Sequence, residues 1–190
     1  MNEGSTRTDV ELLQHIAGGD TAALGSLYDR HSATLFALAC RILNDSKEAE
    51  DVLQDVFVQL WERAADFDPD QGRVLGWALT LTRNRAIDRL RATHRRRARL
   101  VEDTEGEAIQ DYPAQTVSAP EAVCAGEQGH LVRSALAALP PPERRAIELA
   151  FFDGLSQTEV ASALNEPLGT IKARIRRGMQ KLRRQLASHL

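Results

Sequence analysis

Residues 139–186 read LPPPERRAIELAFFDGLSQTEVASALNEPLGTIKARIRRGMQKLRRQL and decide the fold of the C-terminal part of the chain. Ser156 and Glu159 have the spacing of a capping box, in which each side chain bonds the backbone amide of the other at a helix start. Asn165 tolerates the left-handed backbone that ends a helix, and Pro167 suits the start of the next one. The stretch therefore predicts a short helix, a tight turn and a longer helix, which is a helix-turn-helix.

The second of these helices is basic on one side. Its apolar residues recur every three or four positions from about residue 168: Ile171, Ile175, Met179, Leu182 and Leu186. Residues 172–184 hold seven Lys or Arg and no acid. At about 100° per residue, the opposite face carries a polar set flanked by Lys172 and Arg174: Thr170, Ala173, Arg176, Arg177, Gln180 and Arg184. Basic and small side chains on one face suit insertion into a DNA major groove. The alternative is an ordinary amphipathic helix whose basic face is solvated. The capped helix and tight turn before it favour DNA recognition.

Charge alternates along the chain in four blocks, although the formal net charge is only −3. Residues 44–70 hold nine acids and two bases, and residues 100–130 hold seven acids and no base. Residues 83–99 hold eight Arg and one Asp. The two basic blocks suit nucleic acid, whereas the acidic blocks predict a different partner or none.

The sequence has no motif typical of a membrane protein, a secreted protein, a metalloprotein or an enzyme. No apolar run approaches the length of a membrane span, and the N-terminus has no secretion signal, so we expect a cytoplasmic protein without membrane insertion. The five His are scattered, and Cys40 and Cys124 form no CxxC pair, so we expect no metal or cofactor. Cys40 lies in an apolar helical run and is predicted to be a core residue. No catalytic constellation supports an enzyme.

Residues 9–96 show helical spacing of apolar residues and no strand-like alternation, which predicts an all-α class. Asp9 is predicted to cap a first helix and Asp20 a second one that runs to about residue 43. Ser46 opens a third, which fades near residues 68–69, and a fourth starts after Gly72. Residues 97–130 are acidic and rich in Pro and Gly, which predicts a long tether. The predicted domains are therefore 9–96 and 131–190.

Two segments of the N-terminal half carry a family resemblance. Residues 47–61, KEAEDVLQDVFVQLW, and residues 67–91, FDPDQGRVLGWALTLTRNRAIDRLR, closely resemble the most characteristic region of bacterial RNA polymerase sigma factors. Residues 139–183 resemble their promoter-reading domain. The order resembles the small extracytoplasmic-function (ECF) group, which keeps sigma domains 2 and 4 only. Two positions depart from the usual pattern. Many helix-turn-helix units have Gly at the position of Asn165 and an apolar residue at the position of Glu166.

The resemblance implies roles for three sets of residues. The first, similar to the segment that docks on the coiled coil of the largest polymerase subunit, is Leu53, Gln54 and Asp55. The second, similar to the part that opens the downstream promoter element and holds a flipped base, is Asn84, Asp88 and Arg91. The third, similar to the residues that read the upstream element, is Thr170, Lys172, Ala173, Arg176 and Arg177. Alternatives are that Gln54 and Asp55 are merely solvated, and that Asp88 pairs with Arg85 or Arg91 on its own helix.

As a whole, the resemblance implies an ECF sigma factor that binds core RNA polymerase and promoter DNA and is controlled by an anti-sigma factor. The acidic segment 97–130 resembles the stretch that enters the polymerase near the RNA path. A free-standing DNA-binding regulator with a helical sensor domain is the alternative. The N-terminal half disfavours it, because it lacks the strand–helix alternation of a receiver domain.

Overall fold

A computed structural model describes the backbone of residues 7–102 and 133–187 and the side chains of residues 7–96 and 133–186. Within those ranges all regular structure is helical, so the predicted all-α class is confirmed. The chain divides into two compact units, Met1–Ala119 and Pro120–Leu190. Residues 103–130 of the predicted tether, with Cys124, lie outside the described residues.

Four helices build the N-terminal unit: α1 Asp9–Ala17, α2 Thr21–Leu43, α3 Ser46–Glu62 and α4 Val74–Glu102. Helix α2 packs against the other three, so it is the centre of the unit. Helix α3 ends earlier than predicted, because two 3-10 turns, Ala64–Asp66 and Pro69–Gln71, follow it. Helix α4 runs past residue 96 into the predicted tether, since residues 95–102 contain no Pro or Gly to end it.

The cap of α1 differs from the prediction. The N-cap is Thr8, which forms a capping box with Glu11, and not Asp9. Asp9 instead accepts a hydrogen bond from Arg30 and lies 2.7 Å from His31 Nε2, so it ties α1 to α2. The Thr8 backbone N–H, and after it the Thr8 hydroxyl, stabilise the Glu11 carboxylate and lower its pKa. Asp20 caps α2 as predicted, through the amides of residues 22 and 23.

The core of the N-terminal unit consists of aliphatic side chains from all four helices. The largest side chains exposed by less than 2 % are Leu12, Leu13, Ile16, Leu27, Leu35, Val52, Val56, Leu60 and Val74. Cys40 is buried, as predicted. Thr82 is a fully buried polar residue on α4, and its hydroxyl donates to the Ala78 carbonyl at 2.8 Å, which removes the cost of burying it.

The C-terminal unit contains a short helical segment at 133–137, labelled α5, and three longer helices: α6 Pro141–Phe151, α7 Gln157–Ala163 and α8 Leu168–Ala187. Helices α7 and α8 are the predicted helix-turn-helix, and α6 packs across α8. One apolar cluster joins all three helices: Ala146, Leu149, Leu155, Val160, Ala161 and Ile171. A second cluster joins α5, α6 and the end of α8: Ala135, Leu139, Ile147 and Leu182.

The buried side of α8 is rotated from the predicted apolar stripe. Met179 was expected in that stripe, but it is 48 % exposed, and Gly178 takes the buried position. A Cβ atom on Gly178 would lie 2.5 Å from Ile147 Cδ1 and 3.4 Å from Glu143 Cβ. Glycine therefore allows α6 and α8 to approach closely at this point. A search for apolar periodicity misses this contact, because glycine has no side chain to contribute to the pattern.

Candidate nucleic-acid and polymerase interfaces

The helix-turn-helix has the predicted local geometry. The Glu159 amide donates to Ser156 Oγ at 3.2 Å, and the Ser156 amide donates to Glu159 Oε2 at 2.6 Å. Asn165 has a φ of 51°, in the left-handed region that its short polar side chain tolerates. The Glu166 amide then donates back to the Ala161 carbonyl at 2.9 Å. These bonds fix the angle at which the chain leaves α7 and enters α8.

Glu166, one of the two departures from the usual helix-turn-helix pattern, pairs with α8. Arg174 Nη1 lies 2.6 Å from Glu166 Oε1, with only 20 % of the Arg174 side chain and 32 % of the Glu166 side chain exposed. A charged pair thus occupies a position where the helix-turn-helix pattern favours an apolar residue. Arg174 is consequently engaged inside the domain and is turned away from the exposed face of α8.

The predicted reading residues lie on the exposed side of α8, with Thr170 half-buried at its start. The exposed members of the set are Lys172, Ala173, Arg176 and Arg177. Arg183 and Arg184 extend the basic surface towards the end of the helix. Among the described residues, ion pairs on α8 involve Arg174, Arg177 and Lys181. The remaining basic side chains of α8 are therefore available to an external anion.

A buried acid on α6 faces α8. Glu143 is only 7 % exposed, and both of its carboxylate oxygens accept from Lys181 Nζ, at 2.8 and 2.9 Å. Arg177 Nε lies 4.0 Å from Glu143 Oε1, although 61 % of the Arg177 side chain is exposed. Sequence reasoning missed Glu143, because a charged residue in the first turn of a helix is usually solvated and suits the helix dipole.

Among the predicted polymerase-docking residues, Leu53 is 7 % exposed and packs largely into the core. Gln54 is exposed and Asp55 is half-exposed on the outer side of α3. Gln54 borders a shallow groove between α2 and α3, lined by Tyr28, Ser32, Ala33, Phe36, Glu50, Leu53 and Gln54. Tyr28, 44 % exposed, and Val58, 55 % exposed, add apolar surface to this side of the unit.

Acids of α3 pair with arginines of α4. Arg89 bonds Glu48, and its Nη2 donates to Asp51 Oδ2 at 2.7 Å. The hydrogen bond that Arg89 donates to the Glu48 carboxylate is the main cause that raises the pKa of Arg89. Arg85 Nε lies 3.5 Å from Asp55 Oδ2 but is solvent-shielded without a hydrogen-bond partner among the described residues. The Arg85–Asp55 contact is therefore a loose ion pair that links a predicted docking residue to the predicted promoter-opening helix.

The predicted downstream-element residues share one face of α4. Asn84, Asp88 and Arg91 are all exposed and lie four and three positions apart, so their side chains point the same way. Because Arg85 turns towards α3, the alternative in which it pairs with Asp88 is wrong. Arg83, on the same helix, is partly buried, and this burial, followed by the charge of Arg91, lowers its pKa.

The loop before α4 packs on the first turn of the helix. Phe67 packs on Trp77 with ring centroids 5.5 Å apart. Asp68 caps the following 3-10 turn by accepting from the Asp70 amide at 2.9 Å. Gly72 has a φ of 148°, a conformation open in practice to glycine alone. These contacts fix how the chain enters the start of α4.

The described part of the chain contains no group of three His, Cys, Asp or Glu side chains that could hold a metal ion. It also contains no helix that is long and apolar enough to cross a membrane.

Comparison with known proteins identifies the family. The model of Sigma-70 region 2 matches residues 27–97, and that of Sigma-70 region 4 matches residues 130–182. The ECF RNA polymerase sigma factor SigK of Mycolicibacterium vanbaalenii is 36 % identical over 92 % of this chain and 87 % of its own length. The chain belongs to the ECF group of sigma factors. SigK of Mycobacterium tuberculosis strain H37Rv is 37 % identical over 90 % of either chain.

This sigma factor is also similar to solved structures. Rhodobacter sphaeroides SigE, in complex with the anti-sigma ChrR, is 29 % identical, with 93 % of this chain and 97 % of that chain covered and a TM-score of 0.46. CnrH, in complex with the cytosolic domain of CnrY, is 28 % identical, with 95 % and 97 % covered and a TM-score of 0.42. The family assignment rests on the sequence matches and not on these superpositions. As a sigma factor, the protein directs core RNA polymerase to promoters.

Proposed function

We propose that residues 131–190 read the upstream promoter element as duplex DNA through α8. The observation that carries this proposal is the exposed basic face of α8, which follows a capped helix and a left-handed turn. In this arrangement, Thr170, Lys172, Ala173, Arg176 and Arg177 face the major groove. Small side chains such as Ala173 allow close approach, and arginine can hold a guanine with two hydrogen bonds.

The outer side of α3 docks on core polymerase in this proposal, with Gln54 and Asp55 as its polar centre. The exposed positions of both residues support the role, as does the apolar surface of Tyr28 and Val58 nearby. Leu53 is mostly buried but lines the groove beside Gln54. A groove flanked by apolar and acidic side chains suits an amphipathic helical partner with basic residues.

The exposed face of α4 binds the opened downstream element. Asn84 and Asp88 offer the hydrogen-bonding groups that a flipped base requires, and Arg91 offers charge for the backbone of a single strand. The loop at residues 68–73 precedes this helix and would border the bound strand at the start of α4 in this proposal. Residues 9–96 therefore form the unit that both docks and opens DNA.

Control by an anti-sigma factor and action in the cytoplasm complete the proposal. The structure of SigE from Rhodobacter sphaeroides contains the anti-sigma ChrR. By analogy, the present sigma factor binds a protein inhibitor of the same kind in this proposal. Such a partner would cover the docking or the DNA-reading surface. Purification from uninduced cells should then yield a stoichiometric small protein bound to the sigma factor. Recovery with polymerase alone under all conditions would contradict this part.

The sigma factor has no catalytic role of its own here; it supplies sequence choice to the polymerase. The test is run-off transcription with purified core polymerase, the full chain and a pool of genomic promoter fragments. We expect initiation at a small set of shared sequences only when both proteins are present. Initiation that is unchanged by adding the chain would refute the proposal.

A further inference from the structure

We infer that Glu143 is a positioning residue for DNA reading: it holds Lys181 inside the domain and leaves Arg177 to face DNA. The inference rests on the proposed function of α8 as the reading helix. The carboxylate of Glu143 lies against two members of the basic set, one helical turn apart: Arg177 and Lys181. It makes contact on the side of α8 that adjoins α6.

The geometry of the α6–α8 contact brings the carboxylate to this place. Gly178 lies between Arg177 and Lys181 in sequence, and the space where its Cβ would lie is filled by Ile147 and Glu143. The absent side chain lets α6 settle against α8, so the Glu143 carboxylate reaches the basic residues on either side of the glycine. Glu143, Gly178 and Lys181 thus form one local arrangement.

Lys181 is fully engaged by this arrangement. Its ammonium group donates to both oxygens of a carboxylate whose side chain is only 10 % exposed. Although 45 % of the Lys181 side chain is exposed, its departure would leave the mostly buried Glu143 carboxylate without its partner, which is unfavourable. Lys181 is therefore withheld from phosphates, although sequence alone would count it among seven equivalent cations.

Glu143 attracts Arg177 but forms no hydrogen bond with it. Arg177 Nε lies 4.0 Å from Glu143, beyond hydrogen-bond distance, and most of the Arg177 side chain is exposed. The attraction keeps the Nε end of the guanidinium near the α6 edge of the helix, while its two terminal nitrogens stay free to reach a base. Without Glu143, both Arg177 and Lys181 would turn to the nearest phosphates, which attract them regardless of sequence.

The test uses the holoenzyme reconstituted from core polymerase and the full chain, with binding to promoter fragments measured at several salt concentrations. Fragments carry either the selected upstream element or single substitutions in it. For Glu143→Gln we expect the plot of log affinity against log salt to steepen by about 0.9 for each cation released to a phosphate. Discrimination at the base pair read by Arg177 should fall several-fold at the same time. Glu148→Gln is the matched control, because it removes the same charge from the same helix beside Arg144.

A purely structural role for Glu143 would weaken binding to all sequences alike without steepening the salt dependence, and that result would overturn the inference. If Glu143→Gln does not fold, Lys181→Gln decides instead, with Arg184→Gln as its comparison. We expect Lys181→Gln to leave the salt dependence unchanged and Arg184→Gln to reduce it by about 0.9. Equal reductions would show that Lys181 contacts phosphate and would overturn the inference. A holoenzyme that selects no promoter at all would instead refute the proposed function.

Discussion

The acids that hold the arginines of α4 lie in solvent, whereas the acid that holds α8 is buried. In the N-terminal unit, the side chains of Glu48, Asp51 and Asp55 are 37, 50 and 48 % exposed. In the C-terminal unit, the Glu143 side chain is only 10 % exposed. Exposed pairs contribute about 0–1 kcal/mol. Although 45 % of the Lys181 side chain is exposed, removing Lys181 would leave the mostly buried Glu143 carboxylate without its partner, which costs more. The first arrangement is therefore easier to exchange for contacts with a partner than the second.

This difference fits the two proposed tasks. A docking surface must have charged side chains that can leave their partners within the domain and pair with another protein. Asp55 fits this requirement, because its Oδ2 lies 3.5 Å from Arg85 Nε without a close hydrogen bond. A reading helix must present its side chains in one orientation, and α8 is held by Glu166 at Arg174 and by Glu143 at Lys181, about two turns further along the same face.

The largest effect is expected at the exposed acid of the docking helix. Asp55→Arg should weaken binding to core polymerase by about 3 kcal/mol, because the introduced charge would oppose a complementary basic patch. Asp66→Arg makes the same charge change outside α3 and should have little effect. The measurement is competition for core polymerase with the folded variants. Equal affinities of both variants and the parent protein would place the docking surface elsewhere.

The close contact behind α8 should respond to added volume. Gly178→Leu forces side-chain atoms into Ile147 and should destabilise the C-terminal unit by about 1–3 kcal/mol. Gly25→Leu, on an open stretch of α2, should be neutral or slightly stabilising, because leucine has the higher helix propensity. Amide hydrogen exchange, followed peptide by peptide, separates the two units. Faster exchange in both variants alike would contradict the fixed α6–α8 contact.

On α8, the residue that reads a base and the residue that contacts phosphate should respond differently to substitution. Arg177→Ala should lose about 1–3 kcal/mol at one base pair of the upstream element. Arg184→Ala should instead weaken all sequences equally and lower the salt slope by about 0.9. Holoenzyme binding to a library randomised in the upstream element, at two salt concentrations, distinguishes them. The same uniform loss in both variants would mean that Arg177 reads no base.

The smallest effect is expected from the capping box of α1. The folded pKa of Glu11 is lowered, mainly by the Thr8 amide, so its contribution exists above the unfolded pKa and disappears as pH falls through the folded pKa. Glu11→Gln should therefore be slightly less stable than the parent at neutral pH, and the two should converge in acid. Urea unfolding followed by the fluorescence of Trp61 and Trp77 measures this, with Glu62→Gln as the control. A difference that persists unchanged at the lowest pH would exclude the carboxylate as its source.

Local patterns in the sequence predict much of this structure. The capping box at Ser156, the left-handed Asn165 and the helical periodicity lead directly to the helix-turn-helix, because each is a property of neighbouring residues. The cap at Thr8 was wrongly assigned to Asp9, since both residue types are good caps and tertiary contacts to α2 decide between them. The burial of Gly178 and Glu143 could not be predicted, because it depends on how α6 crosses α8. Resemblance assigns Leu53 to the docking set but says nothing of its burial, which depends on how α3 packs on α2.

The central claim is that one unit opens the downstream element and the other reads the upstream element. Start-site mapping of transcripts from a promoter library randomised in both elements tests it, using core polymerase with the parent chain, Asp88→Ala or Arg177→Ala. We predict that Asp88→Ala relaxes the sequence preference of the downstream element only, and that Arg177→Ala relaxes that of the upstream element only. Loss of preference in both elements with either variant, or no preference with the parent chain, would contradict the account.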